Sequence, residues 1–185
     1  MKDKKVIFLI LIILSFLLAV FIVHQFVEQR TLSEVYSQII AWNPVFVESI
    51  TVRCTAGNGS FFISESNIYP IPIRKSWQEI SEDLPLLENS TWINFSQANS
   101  KPSHFPNHLH LGCEYTLQNL KDFKLAHSSH CPFYNFSNIG FNKSGSQALV
   151  FLSQFCGSHT VGALYLLDLV DGHWKVTDTL AIFME

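Results

Sequence analysis

Val6 to Val23 reads VIFLILIILSFLLAVFIV, an unbroken apolar stretch in which Ser15 is the only polar side chain. As a helix it would rise about 27 Å, which is close to the hydrocarbon thickness of a bilayer. A helix that packs on a soluble core keeps a polar face, and this stretch has none. We therefore predict that residues 6–23 form a transmembrane helix.

The residues on either side of the stretch predict its orientation in the membrane and whether it is cleaved. Lys2, Lys4 and Lys5 precede it, so the positive-inside rule places the N-terminus in the cytoplasm. A cleaved signal peptide is the main alternative, but it has a shorter apolar region of about 7–15 residues and a small-residue site, whereas residues 20–25 read VFIVHQ. The predicted organisation is a cytoplasmic tail at 1–5, an anchor at 6–23, a juxtamembrane segment at 24–30 and an extracytoplasmic domain at 31–185.

Composition limits the partners of the exported part. The chain has 185 residues with 12 Lys or Arg and 15 Asp or Glu, a formal net charge of −3 with neutral His. No basic stripe is present that would neutralise phosphates, so we expect no nucleic-acid partner. The predicted partners are the membrane, through residues 6–23, and a protein or small molecule that the sequence does not identify. The exported part is long enough for one domain with its own core.

All four cysteines follow the apolar stretch; they are Cys54, Cys113, Cys131 and Cys156. An oxidising compartment permits disulfides, and four cysteines allow three pairings between which the sequence does not choose. We predict one bridge, between Cys113 and Cys131, with free buried thiols as the alternative.

Helices are predicted mainly in the first half of the exported chain. Thr31-Leu-Ser-Glu34 and Ser76-Trp-Gln-Glu79 both have the spacing of a capping box, which predicts a fresh helix start at each. A helix continuous with the anchor is the alternative at Thr31, and the capping box favours the fresh start. The first helix is expected to end near Trp42, and Pro85 is expected to interrupt the second. A third helix is predicted over 91–98. Strands are predicted at 45–55 and 61–63, as a hairpin around a turn at 57–59, and at 114–117.

The last quarter of the chain has the clearest strand pattern. Strands are predicted over 147–155, 162–170, 174–177 and 179–183, with a tight turn at Asp171-Gly172. Short connections favour an antiparallel β-meander. Early helices and late strands predict the α+β class: a transmembrane helix followed by one domain with a C-terminal meander.

The same region resembles a family of small exported or membrane-anchored bacterial proteins without a characterised activity. The matching segments are FSNIGFN at 136–142, SQALVF at 146–151, Cys156-Gly157, Tyr165-Leu-Leu167 and GHWKV at 172–176. The family pattern reads FSxxGFNxxxxQALVY, then Cys-Gly, then GxWK. The resemblance implies export and a bacterial setting. Members often carry Cys-Gly-x-x-Cys-Gly, and Thr160 stands where the second cysteine would be.

Two His-rich loops are the candidates for metal chemistry. Imidazole and thiolate groups bind Zn²⁺, but neither HExxH nor a paired CxxC occurs. No metal site, cofactor or catalytic residue is therefore predicted, although the residues that best fit a metal site are His108, His110, Cys113, His127 and His130. We expect a binding or accessory module held at the outer face of the membrane rather than an enzyme. The alternative is an exported hydrolase or metal-dependent enzyme that uses the His-rich loops.

Overall fold

The structure is a computed structural model. It describes residues 2–42, 61–68, 70–106, 109–111, 115–119, 121–123, 133–156 and 159–184. The predicted strand at 45–55 and the predicted turn at 57–59 lie outside these residues.

One helix, α1, spans Lys2–Trp42. Its 41 residues extend about 60 Å at roughly 1.5 Å each. Every side chain at positions 9–30 is exposed, whereas Val35, Tyr36 and Ile39 are completely buried. By length and composition, α1 is the one helix among the described residues that is able to cross a membrane, a test that an N-terminal signal sequence also passes.

The predicted fresh start at Thr31 is wrong, because α1 continues through this position without interruption. The Thr31 hydroxyl donates to the Val27 carbonyl at 3.0 Å, as a threonine inside a helix does. Glu34 does not turn back to cap the helix; its Oε1 accepts from the backbone N–H of Trp174 at 3.0 Å. No Gly or Pro follows Val23 until position 44, so nothing in the chain breaks the helix here.

The strands of the described residues form one mixed, seven-stranded sheet. They are β1 (Phe61–Ser64), β2 (Tyr115–Gln118), β3 (Phe133–Phe136), β4 (Gly140–Phe141), β5 (Gln147–Cys156), β6 (His159–Val170) and β7 (His173–Met184). Their spatial order is β2-β1-β3-β5-β6-β7, and β4 also pairs with β5. β1 is parallel to β2 and β3, and the other pairs are antiparallel. A long apolar helix with a mostly antiparallel sheet agrees with the predicted α+β class.

The turn between β6 and β7 has the predicted residues and geometry. Asp171 and Gly172 have φ values of 54° and 78°, and two successive positive values are typical of a type I′ hairpin turn. The predicted division of the last strand into two is wrong, because β7 is continuous. Opposite β6, Leu166 pairs with Asp178 while Leu167 pairs with Val176, so Thr177 is an extra residue. This bulge interrupts the alternation of side chains, which is the reason that the pattern suggested two strands.

Two short helices lie on one side of the sheet, α2 (Trp77–Asp83) and α3 (Asn89–Ala98). The predicted capping box at the start of α2 is confirmed: the Ser76 N–H donates to Glu79 Oε2 at 2.7 Å, and the Glu79 N–H donates to the Ser76 hydroxyl at 3.4 Å. The hydrogen bond from the Ser76 backbone lowers the pKa of Glu79. α2 ends before Pro85 as expected, and α3 begins two residues earlier than predicted.

The sheet is buried on both faces. Along β5, Val150 packs into the core on the side of α1, while Phe151 packs into the core on the side of α2 and α3. This alternation follows from the two-residue period of a strand. Burial on both faces explains why β5 reads as a continuous apolar run. The domain therefore has three layers, with the end of α1 on one face and α2 with α3 on the other.

Gly140 of β4 lies directly against α3. A Cβ atom there would lie 2.3 Å from the Cα of Phe95, inside the backbone of α3. We expect Gly140→Ala to cost about 3 kcal/mol or more, because a backbone atom cannot yield as a flexible side chain does. The matched control is Gly145→Ala, where the added Cβ meets open space and only the positive φ of 70° is unfavourable, at about 1 kcal/mol. Thermal unfolding of the detergent-solubilised protein measures both, and equal midpoints for the two variants would contradict this packing.

Candidate functional site

A cavity of about 330 Å³ lies beside α1, at the level where the helix enters the domain. We call it the juxtamembrane cavity, after the juxtamembrane segment that the sequence predicts at 24–30. Its described lining residues are Phe26, Gln29, Arg30, Ser33, Glu34 and His110. The five residues from α1 recur at intervals of three and four, so they share one face of the helix.

The His110 backbone is held against this face by two serines one helical turn apart. Its N–H donates to the Ser33 hydroxyl at 3.1 Å, and its carbonyl accepts from the Ser37 hydroxyl at 3.3 Å. Leu109 and Leu111 on either side are buried. The imidazole itself is exposed. The His110 side chain is thus presented at the cavity on a fixed backbone.

The two charged residues among the described lining residues, Glu34 and Arg30, differ in their partners. Glu34 is engaged already: besides accepting from the Trp174 N–H, its Oε1 lies 3.4 Å from Nδ1 of His173. Arg30 is exposed, and no carboxylate in the described part of the chain forms an ion pair with it. The cavity therefore combines a carboxylate that joins α1 to β7 with a guanidinium that is open to a ligand.

The side of the cavity nearest the N-terminus of α1 is apolar. Phe26 is 68% exposed and the neighbouring Val27 is 55% exposed. They extend the exposed apolar surface of α1 one turn beyond Val23. The cavity thus changes from apolar to polar along the helix axis, from Phe26 to Arg30.

The structure brings only one of the predicted metal candidates to this site. His110 lines the juxtamembrane cavity, and the described residues contain no group of three or more His, Cys, Asp or Glu that could hold a metal ion. The other candidates, His108, Cys113, His127 and His130, lie outside the described residues, as does the predicted Cys113–Cys131 bridge. These stay predictions.

Sequence reasoning did not identify Arg30 and Phe26 as site residues. The predicted helix start at Thr31 placed Phe26 and Arg30 outside the domain helix. Their spacing relative to Ser33 and Glu34 therefore did not indicate a shared helical face. A continuous helical repeat through 26, 29, 30, 33 and 34 is the signal that would have placed all five on one face.

The polar residues of the segment 136–147 form hydrogen bonds that hold the fold together. Asn142 Oδ1 accepts from the backbone N–H groups of Ser146 and Gln147 at 2.8 and 3.1 Å. Gln147 Oε1 accepts from the Glu88 N–H and from the Thr91 hydroxyl, both at 2.8 Å, and so fastens the start of α3 to the sheet. Asn142 and Gln147, two residues of the pattern on which the family resemblance rests, therefore have structural roles.

The chain matches no family model, and no curated protein or solved structure is significantly similar to it. The resemblance to exported bacterial proteins accordingly stays a prediction.

Ser33 of α1 positions residues 109–111 beside the cavity by accepting the hydrogen bond of the His110 N–H. We expect Ser33→Ala to leave the His110 N–H without its acceptor and to destabilise the attachment of residues 109–111 by about 1 kcal/mol. Hydrogen–deuterium exchange of this segment measures the effect as faster exchange. Ser37→Ala is the control, because it removes only a donor to an exposed carbonyl at 3.3 Å and is expected to change exchange less. Equal exchange in the wild type and in Ser33→Ala would contradict the assignment.

Proposed function

We propose that the chain is a single-pass membrane protein with a cytoplasmic N-terminus, whose α+β domain is held on the other side as a binding or accessory module. The observation that carries this proposal is the continuity of α1. The helix presents an apolar surface over its first part and supplies core residues of the domain with its last turns.

The exposed surface of α1 supports insertion into lipid. Fifteen large apolar side chains between Leu9 and Val27 are exposed. Full removal of such a side chain from water is worth about 1.5–3 kcal/mol, so together they favour a lipid environment by on the order of 20 kcal/mol or more. A free helix of this composition would not be stable in water.

The uninterrupted passage from the apolar stretch into the domain supports retention of the anchor. Signal-peptide cleavage needs small residues at the cleavage site. Residues 20–25 are bulky or polar instead, and they are helical along with the residues on both sides. A cleaved signal remains the alternative that the first experiment below distinguishes.

The geometry of α1 also predicts where the domain would sit. Burial begins at Ser33, ten residues after Val23, which corresponds to about 15 Å of helix. The headgroup layer of one leaflet occupies about 5–8 Å of that height. A rigid helix therefore holds the domain just above the headgroups at a fixed orientation, which suits a module that meets its partner at a set distance from the membrane.

An enzymatic role is the rival proposal. It depends on the His-rich loops, and loss of a measured activity in a His108→Ala variant would favour it. The candidate residues are His108, His110, Cys113, His127 and His130. The juxtamembrane cavity, which described residues form, suits binding.

Alkaline carbonate extraction tests the anchor. We expect the full-length protein to remain in the membrane pellet, because its apolar helix stays in lipid, and we expect mass spectrometry to find an intact N-terminal segment. Replacing Leu14 and Leu17 with Arg is the matched control, since charges at the centre of the helix cost about 2.5–3.5 kcal/mol each, and release into the supernatant should increase. A mature N-terminus near residue 25 would exclude the anchor.

A reporter enzyme fused after Glu185 tests the orientation. A reporter that functions only outside the cytoplasm should be active, because Lys2, Lys4 and Lys5 retain the N-terminus inside. Changing these three lysines to Glu should lower that activity. Activity restricted to a cytosolic reporter would refute the orientation and leave the anchor itself untouched.

A further inference from the structure

We propose that the juxtamembrane cavity binds the phosphate group of an anionic phospholipid in the leaflet that faces the domain. This inference rests on the proposed function, because it requires α1 to cross the bilayer. It goes beyond anchoring, since it assigns a specific lipid contact to named residues of the domain side of the helix.

The membrane side of the cavity, from Phe26 to Arg30, reaches the headgroup layer. Arg30 follows Val23 by seven residues, so its Cα lies about 10 Å beyond the apolar stretch along the helix axis. Helical side chains lean toward the N-terminus of their helix, which here is the membrane side. The Arg30 guanidinium is therefore directed back toward the layer that holds the lipid phosphates, about 5–8 Å thick.

The chemistry of the cavity suits a phosphate oxygen. A guanidinium donates through a planar fork that matches phosphate geometry, and Arg30 has no carboxylate partner among the described residues. The Gln29 amide and the His110 imidazole line the same space and add donors. The His110 backbone is held by Ser33, so only the exposed imidazole has to become ordered when a ligand binds.

Glu34, the acidic group among the described lining residues, does not oppose this ligand strongly. Glu34 lies one helical turn farther from the membrane than Arg30. Its carboxylate accepts from the Trp174 N–H and lies 3.4 Å from Nδ1 of His173, so part of its negative charge is balanced by donors of β7.

The order of apolar and polar groups favours a lipid over a free anion. Phe26, 68% exposed, lies on the membrane side of Arg30 and one turn away from it. A phospholipid has the same order, with its acyl chains toward the membrane and its phosphate above them. An inorganic phosphate would make no use of Phe26, whereas the glycerol and first acyl carbons of a lipid would cover it.

Lipid retention by the full-length protein tests this proposal. The protein is reconstituted in bilayers of phosphatidylcholine and phosphatidylglycerol, released in mild detergent, and its bound lipids are counted by native mass spectrometry. We expect the wild type to retain phosphatidylglycerol. We expect Arg30→Gln to retain about tenfold less of it, because the variant loses one charge-assisted hydrogen-bonding group. Arg30→Lys should retain an intermediate amount, because it keeps the charge without the fork.

Arg74→Gln is the matched control, since it removes another exposed arginine, in the segment that precedes α2. Its retention should equal that of the wild type. Equal retention in Arg30→Gln and Arg74→Gln would overturn the proposal. Displacement of the lipid by millimolar inorganic phosphate, with direct binding of that phosphate, would assign the site to a soluble anion and would also overturn it. Lipid counting in detergent requires neither a fixed orientation nor an intact cell. Its result is therefore independent of the carbonate and reporter experiments, and failure of the lipid proposal can be distinguished from failure of the proposed function.

Discussion

The end of α1 is attached to the domain by three apolar side chains, those of Val35, Tyr36 and Ile39. All three are completely buried against one face of the sheet. The Tyr36 ring packs edge-on against Phe136 with centroids 5.0 Å apart, and its hydroxyl donates to the buried Ser137 carbonyl at 3.0 Å. The rest of the architecture depends on this packing, because without it the sheet would expose one apolar face and α1 would have no fixed direction.

The consequence of this packing is a mechanical one. A helix whose residues 35–40 pack into the core cannot act as a flexible tether, so the orientation of the domain follows that of α1. The juxtamembrane cavity arises at the same junction, where the helix leaves the core and Glu34 still joins it to β7. The proposed location of the domain and the proposed lipid contact therefore have a common structural origin.

The elements that were predicted correctly are those with local causes. The capping box at Ser76 and the turn at Asp171-Gly172 depend on a few adjacent residues, and both have the predicted geometry. The same capping spacing at Thr31 gave a wrong prediction, because the preceding residues are already helical and leave no free N–H to cap. The bulge at Thr177 was also missed, since it depends on the register between β6 and β7. The cavity was not predicted, because its lining combines residues about eighty positions apart, from Phe26 to His110.

By itself, the amino-acid sequence determined the apolar helix, the polarity of its flanks, the long strands of the last quarter and the turn at Asp171-Gly172. These follow from side-chain polarity and backbone preference over short distances. Only the tertiary structure decided that the apolar helix and the first domain helix are one, that β1 lies parallel between β2 and β3, and that Arg30 and His110 face the same space. Such relations depend on which surfaces pack against each other. A local sequence pattern does not identify the distant residues that it will contact.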